Sequence, residues 1–490
     1  MEGCRFHIPR SAFRISTGRA TETLMSDTHP NGMLRESELR ELVKRSEIDT
    51  VLTVFPDLYG RLVGKRINAR YFCDDILAHG MHACDYLLAC DMEMDPVPGY
   101  RFASWADGYG DVRCAPDVNT LRRATWLERT ALVLCDVYDE ETDKLVDVAP
   151  RTILRRQIER AEAALVRPKG ASELEFFVLR ETYESAHRKS FDNLEPFGWY
   201  IEDYHTLQGA KVEGLVGAMR RHLDNSGIPV EFSKGEWGPG QHEINVRYAD
   251  LLEMADRHVI YKQIAKEIAI QQGLAVTFMA KFDERYAGSS MHVHSSLWSP
   301  DGSKALFAGD GKPFTGDLTK LPDQFRWWLG GLMRHARACT LLFAPYVNSY
   351  KRFRAGSFAP TGIAWSYDNR TAGFRIVGRG PSLRVECRIP GADANPYLGF
   401  AATVAAGLDG LAQHIEPPPM FRGDVYAAQD VPRVPQTLPE AIAEFEQSEL
   451  FRTAFGAEVV EHLVHFARTE QRKFDEVVTS WERRRFLERA

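Results

Sequence analysis

Residues 291–298 read MHVHSSLW, and residues 382–390 read SLRVECRIP. Successive side chains of a strand face opposite sides, so His292 and His294 share one face, as do Arg384, Glu386 and Arg388. The same period runs through ASELEFFVL (171–179), which sets Glu173 beside Glu175. In EWGPGQHEINV (236–246), Glu236 and Glu243 bracket a turn whose glycines and proline fold the chain back. Each strand therefore has one apolar and one ionic face. An ordinary solvent face mixes Lys, Thr and Ser, whereas these faces carry acids, imidazoles and arginines, the residue types of ligands. Burying so many carboxylates is unfavourable unless cations neutralise them. Oxygen ligands with imidazoles suit Mg²⁺ or Mn²⁺ better than a sulfur-preferring metal.

Arginines supply the complement. NSYKRFRAGSFAPTG (348–362) has three cations, Lys351, Arg352 and Arg354, in a turn with no acid to balance them. Arg352, Arg370, Arg375, Arg384 and Arg388 fall within about forty residues, and guanidinium forks match carboxylate and phosphate oxygens. Acids that hold metals beside an arginine cluster point to phosphoryl transfer, where catalysis is largely positioning and charge stabilisation. There is no GxxxxGK[ST] and no GxGxxG after a strand, so a nucleotide would sit on neither a P-loop nor a Rossmann fold. GxSxG is absent too, and His242-Glu243 belongs to no HExxH.

At 490 residues the chain predicts two domains, the larger of roughly 300 residues or more. With 44% hydrophobic and 26% charged residues it is globular, and a net charge of -7 argues against nucleic acid as the main partner. No apolar run reaches the roughly 18 residues of a membrane span. The eight cysteines show no CxxC spacing and read as reduced core residues of a cytoplasmic protein. Residues 1–34 read as a disordered extension whose first 24 residues, with four arginines, carry a faint transit-peptide character.

RESELRELVKRS (35–46) predicts a short amphipathic helix, and VLTVFPDLYGRLVGKRIN (51–68) two strands around a turn near Tyr59-Gly60. The pattern changes near residues 143–149, ahead of VAPRTILRRQIERAEAAL (148–165), which is helical with a proline near its start. The expected domains are residues 35–145, β-rich, and 146–490, where helices (251–273, 323–341 and a buried one at 396–415) alternate with strands. The fold class is α+β.

These motifs resemble the glutamine synthetase family from about Asp49 to the C-terminus. The carriers are ELEFF (173–177), Glu236 with PGQHE (239–243), GSSMHVHSSL (288–297), NSYKR (348–352), Asn369-Arg370 with Arg375, RVECR (384–388) and ANPYLGFAA (394–402), in the family's order. The resemblance implies a small N-terminal β-grasp domain and a catalytic domain whose curved antiparallel sheet forms a funnel, with ATP at one mouth and glutamate at the other. It also implies a homo-oligomer, a hexamer or dodecamer with shared active sites, and two to three Mg²⁺ or Mn²⁺ ions per site.

By position, the resemblance assigns Glu175, Glu236 and Glu243 to a first metal and Glu173, His292 and Glu386 to a second. His294 and Ser296 match nucleotide contacts. Arg352 and Arg388, with the backbone of Gly288 and with Glu175, match the glutamate site. Arg370, Arg375 and Arg384 match the residues that stabilise the transferring phosphoryl group, the last two also facing the nucleotide. Asp57 matches an aspartate donated across the subunit interface. The implied reaction converts the γ-carboxylate of glutamate to an acyl phosphate, which an amine then displaces.

Two departures bear on that amine. The family's flap glutamate, which binds ammonium and takes its proton, lies six residues beyond the arginine of NSYKR, and here that residue is Phe358. A ring cannot accept a proton, although its face favours an alkylammonium. Ala287 replaces an asparagine common ahead of the glycine at the glutamate site. The expectation is a γ-glutamyl-amine ligase, with glutamine synthetase proper as the alternative, and a pocket for the amine lined by the flap and by loop 181–205. A catalytically inactive member and a two-metal hydrolase are the other readings. Tyr426, near a position that is adenylylated in some bacterial members, reads as structural.

Overall fold

The computed structural model describes residues 30–106, 108–309, 311 and 317–490. The expected extension lies outside these as far as residue 29. Beyond it, Met33 bridges to Arg122 and Leu34 is already buried.

Helix Glu36–Lys44 buries Leu39, Leu42 and Val43. Strands β1 (Thr50–Pro56) and β2 (Leu62–Asn68) form the expected hairpin, whose turn uses Gly60 at φ 73°. With β3 (Met81–Cys84), β4 (Asp111–Pro116), β5 (Arg122–Arg123) and β6 (Thr130–Asp139) they build a six-stranded sheet in the order β2-β1-β6-β4-β3, β5 pairing β6. Only β1 and β6 run parallel, so the sheet is built around one central parallel pair in the manner of a β-grasp.

Helix Pro150–Ala163 follows, proline in its first turn, where the missing N–H breaks no bond. Its Arg151, 3% exposed, pairs with Asp256 at 3.0 Å, Asp117 at 2.7 Å and Asp136. Asp117 and Asp136 belong to the first sheet and its edge, and Asp256 to helix Leu251–Gln271, so one guanidinium joins the two halves.

The second sheet has nine strands: β7 (Arg167–Leu179), β8 (Val230–Gly235), β9 (Gln241–Val246), β10 (Ala249–Asp250), β11 (Ala275–Thr277), β12 (Met291–Trp298), β13 (Trp365–Tyr367), β14 (Phe374–Val377) and β15 (Arg384–Cys387). Its order is β13-β14-β15-β12-β7-β9-β8, with β10 and β11 also on β7. It is antiparallel, as expected, apart from the short β13, which runs parallel to β14 at one end. Leu174, Phe176, Ile244, Met291, Val293 and Val385 form its apolar face in the main core. Behind it lie helix Leu251–Gln271, whose Tyr261 meets Phe176 edge-on, and helix Pro396–Gln413, buried on nearly every side. The helix expected over 323–341 is two, Asp323–Arg334 and Ala336–Phe343, divided at His335, whose ring bonds Asp409 at 2.7 Å.

All seven cysteines among the described residues are free, and six are buried. No helix among these residues is long and apolar enough to cross a membrane.

Candidate active site

Register converts the ionic faces into one band. Arg375 pairs with Glu386 across β14 and β15, Glu386 with His294 across β15 and β12, His292 with Glu173 across β12 and β7, Glu175 with Glu243 across β7 and β9, and Glu243 with Lys234 across β9 and β8. The sheet curves, so residues of β8 and β14, near its two ends, line the same cavity of about 280 Å³.

Two groups each bring their ligand atoms within 4.8 Å of one another: Glu175, Glu236 and Glu243 form one, and Glu173, His294 and Glu386 the other. The first is the expected trio. The second contains His294, although His292 is also close, its Nδ1 3.2 Å from Glu173 and 3.5 Å from Glu386. His294 Nε2 lies 2.9 Å from Glu173, while its Nδ1 accepts from Arg384 Nε at 3.0 Å.

The electrostatics of the trio call for a cation. Burial and the neighbouring Glu236 push the Glu175 carboxyl up to about 7, and burial with Glu173 and Glu236 raises Glu243 well above the carboxylate range. A divalent cation would relieve this repulsion, and the all-oxygen donor set suits a hard one. The acids of the second group stay ionised. Burial opposes ionisation there, yet His294 and His292 hold Glu173 well below its ordinary value, and Arg388 and His292 hold Glu386 at about 2. Burial and Arg388 lower His292 to about 4, which leaves the imidazole neutral, the form that ligates metal.

Glu175 is oriented by the Ser290 N–H at 2.8 Å and by Gln241 Nε2 at 3.3 Å, and Gln241 also donates to the Gly288 carbonyl at 3.0 Å. Gly288 has to be glycine, since a Cβ there would stand 2.6 Å from Arg352 Cγ. Arg352, 3% exposed, donates to the carbonyls of Ile389 and Arg388 at 2.8 and 2.9 Å. Arg375 reaches Glu386 at 2.9 Å, and Arg370, exposed, lines the cavity.

A second cavity, about 410 Å³, shares Glu173 with the first and is lined by Lys169, His294, Ser296, Arg384, Tyr248 and Trp298. Tyr248 and Trp298 stack 20° from parallel, a shelf for a planar ring. Of the expected nucleotide residues, His294, Ser296 and Arg384 line this second cavity, whereas Arg375 lines the first together with the expected glutamate residues.

Asp57 lines neither cavity. It is 1% exposed and accepts from the N–H groups of Tyr59 and Arg61 and from Arg61 Nε at 2.7 Å. Tyr426 Oη donates to the Ala359 carbonyl at 3.0 Å, which ties down the loop after Phe358 and fits the structural reading.

Residues 147–486 match the family described as glutamine synthetase, catalytic domain. The chain belongs to the glutamine synthetase family. It is 45% identical over 475 residues to the gamma-glutamylethanolamide synthetase GlnA4 of Streptomyces coelicolor, covering 97% of this chain and 100% of that one. It is 34% identical over 467 residues to the glutamate–isopropylamine ligase of a Pseudomonas species, covering 95% and 100%. Among solved structures, a GmaS/ADP complex superimposes with a TM-score of 0.79 at 28% identity, covering 92% of this chain and 99% of that one. Enzymes of the family use ATP and divalent cations.

Among the lining residues given no individual role from sequence are Asp203, Tyr204, Lys234 and Trp237. Trp237 and Lys234 sit within two residues of Glu236, where an aromatic and a cation beside a ligand acid were the available signal. Asp203 and Tyr204 fall in the loop expected to face the amine.

Proposed function

We propose that this protein joins a small organic amine to the γ-carboxylate of glutamate with ATP as co-substrate, through γ-glutamyl phosphate. A γ-carboxylate oxygen attacks the γ-phosphorus and ADP leaves. The neutral amine then attacks the acyl carbon, phosphate departs, and the nitrogen loses a proton to give the γ-glutamyl amide.

The observation that carries this reading is Phe358. Its ring, 42% exposed, meets the Trp237 ring at 5.4 Å in the cavity wall, so an aromatic pair stands where an ammonium ligase needs a carboxylate. The 45% and 34% identical relatives, named for ethanolamine and isopropylamine products or substrates, support it.

In this reading Arg352 and Arg388 hold the carboxylates of glutamate beside Gly288, and Arg370, Arg375 and Arg384 offset charge on the transferring phosphoryl group. His294 and Ser296 contact the nucleotide above the Tyr248–Trp298 shelf. Mg²⁺ or Mn²⁺ ions on Glu175, Glu236 and Glu243 and on Glu173, Glu386 and His292 or His294 would neutralise carboxylate and triphosphate oxygens. Since Asp57 lies outside its own chain's cavities, we assign it to a neighbour's site in a ring oligomer. Residues 35–145 then form the interface domain, residues 146–490 the catalytic one, and the enzyme works in the cytoplasm.

Purified enzyme with ATP, Mg²⁺ and glutamate should release phosphate several-fold faster with ethanolamine or an alkylamine than with ammonium. Equal rates with ammonium would favour glutamine synthetase proper, for which Asp203, an acid in the cavity wall, is the supporting observation.

A further inference from the structure

Trp237 follows Glu236 directly, in the turn between β8 and β9, and is 48% exposed although it lines a cavity otherwise rich in charge. Its ring stands 70° from that of Phe358 at 5.4 Å, so the two make an apolar corner. Tyr204 lines the same cavity and stacks under Lys234, its ring 4.6 Å from Nζ. Asp203 lies 3.5 Å from the same ammonium. Among the lining carboxylates, Asp203 alone stands outside the two ligand groups.

These loop residues are held in place. Glu202, 2% exposed, accepts from the Gly240 N–H at 3.2 Å, and its other oxygen is 3.1 Å from His242 Nε2. The backbone packs as closely: a Cβ on Gly235 would stand 2.6 Å from the Glu202 carbonyl. Asp203 and Tyr204 are thereby fixed beside the turn that carries Trp237.

An apolar corner next to one acid is complementary to a cation that carries carbon. The π-faces attract the charge, and each methylene covered contributes up to about four-fold in affinity. Outside the two ligand groups, the other charges in the wall, Lys234, Arg352, Arg370, Arg375 and Arg388, are positive and repel a second ammonium. We propose that Trp237 and Phe358 receive the carbon chain, and Asp203 the charged head, of a short primary alkyl- or hydroxyalkylammonium ion, and that the cations of the wall exclude diamines. This rests on the amine-ligase reading and names its substrate class.

The experiment measures KM for ammonium, methylamine, ethylamine, n-propylamine, n-butylamine and putrescine, alongside KM for glutamate and ATP. In the wild type, KM should fall about three- to four-fold per added carbon as far as propylamine, with putrescine at least roughly ten-fold worse than butylamine. Trp237→Ala should raise KM for propylamine about ten-fold and flatten the chain-length series, with KM for glutamate and ATP unchanged. Trp237→Phe should restore most of the loss. Asp203→Asn should raise KM for every amine, methylamine included. A chain-length series that survives Trp237→Ala, or KM values for all three substrates that rise together, overturns the inference. Putrescine matching butylamine overturns the exclusion. If ammonium is the best wild-type substrate, the amine-ligase reading itself has failed, so the two failures are distinguishable.

Discussion

The Arg388 guanidinium donates to Glu386 at 2.5 Å and to the Phe358 carbonyl at 3.3 Å, so one buried side chain connects the second ligand group to the loop that carries Phe358. Arg388→Ala leaves Glu386, 0% exposed, with only Arg375 as a direct cationic partner. Removing one partner of such a pair is destabilising by roughly 3–5 kcal/mol. We expect a lower Tm and loss of turnover. Arg388→Lys should keep the fold but raise KM for glutamate by more than about ten-fold, because an ammonium lacks the fork that serves two acceptors. Thermal melts and steady-state kinetics on the two variants check this.

Phe358→Glu should give the cavity an acid that can bind ammonium and take its proton. KM for ammonium is expected to fall at least roughly ten-fold while KM for alkylamines rises. Phosphate release with each amine measures both, and an unchanged ratio would contradict the role given to the ring.

Glu243→Gln removes one of three crowded carboxylates, which has opposite consequences with and without metal. In metal-free protein the repulsion with Glu175 and Glu236 eases and Tm should rise. Affinity for Mg²⁺ or Mn²⁺ should fall by at least roughly ten-fold, the scale on which even outer partners of a metal site act. Titration calorimetry and melts in chelator supply the two readouts.

His462 couples the halves to pH. Its Nε2 donates to the Leu88 carbonyl at 2.9 Å, and its ring packs on Tyr100 at 4.4 Å. Burial lowers its pKa to about 4, against roughly 6.5 when unfolded. The unfolded chain therefore binds the proton first. Stability is fully present above pH 6.5 and declines as pH falls towards 4, by up to roughly 3 kcal/mol. His462→Gln should flatten that part of the stability profile, measured as denaturation midpoints between pH 8 and 4.5.

Much of the site was legible because it is written in local periods. Alternation alone set Glu173 beside Glu175 and His292 beside His294, and glycine at 60 marked the hairpin. Phe358 stood out at once as an aromatic in a polar turn. What alternation could not resolve was which histidine completes the second group, since both share a face. In the folded sheet both come close to Glu173, His292 Nδ1 at 3.2 Å and His294 Nε2 at 2.9 Å.

Contacts between distant segments were hidden for the same reason. Arg151, in the run RTILRR, reads as one more basic residue of an exposed helix, yet it is buried among three aspartates from separate parts of the chain. The Glu202–His242 contact, which fixes Asp203 and Tyr204 near Trp237, joins residues about forty positions apart. Residue order carries strand periods, turn chemistry and the inventory of acids, imidazoles and guanidiniums, because these depend on neighbours a few bonds away. The corner formed by Trp237 and Phe358 exists only once the sheet has curled and the loops have packed, since nothing in either local sequence specifies a partner more than a hundred residues distant.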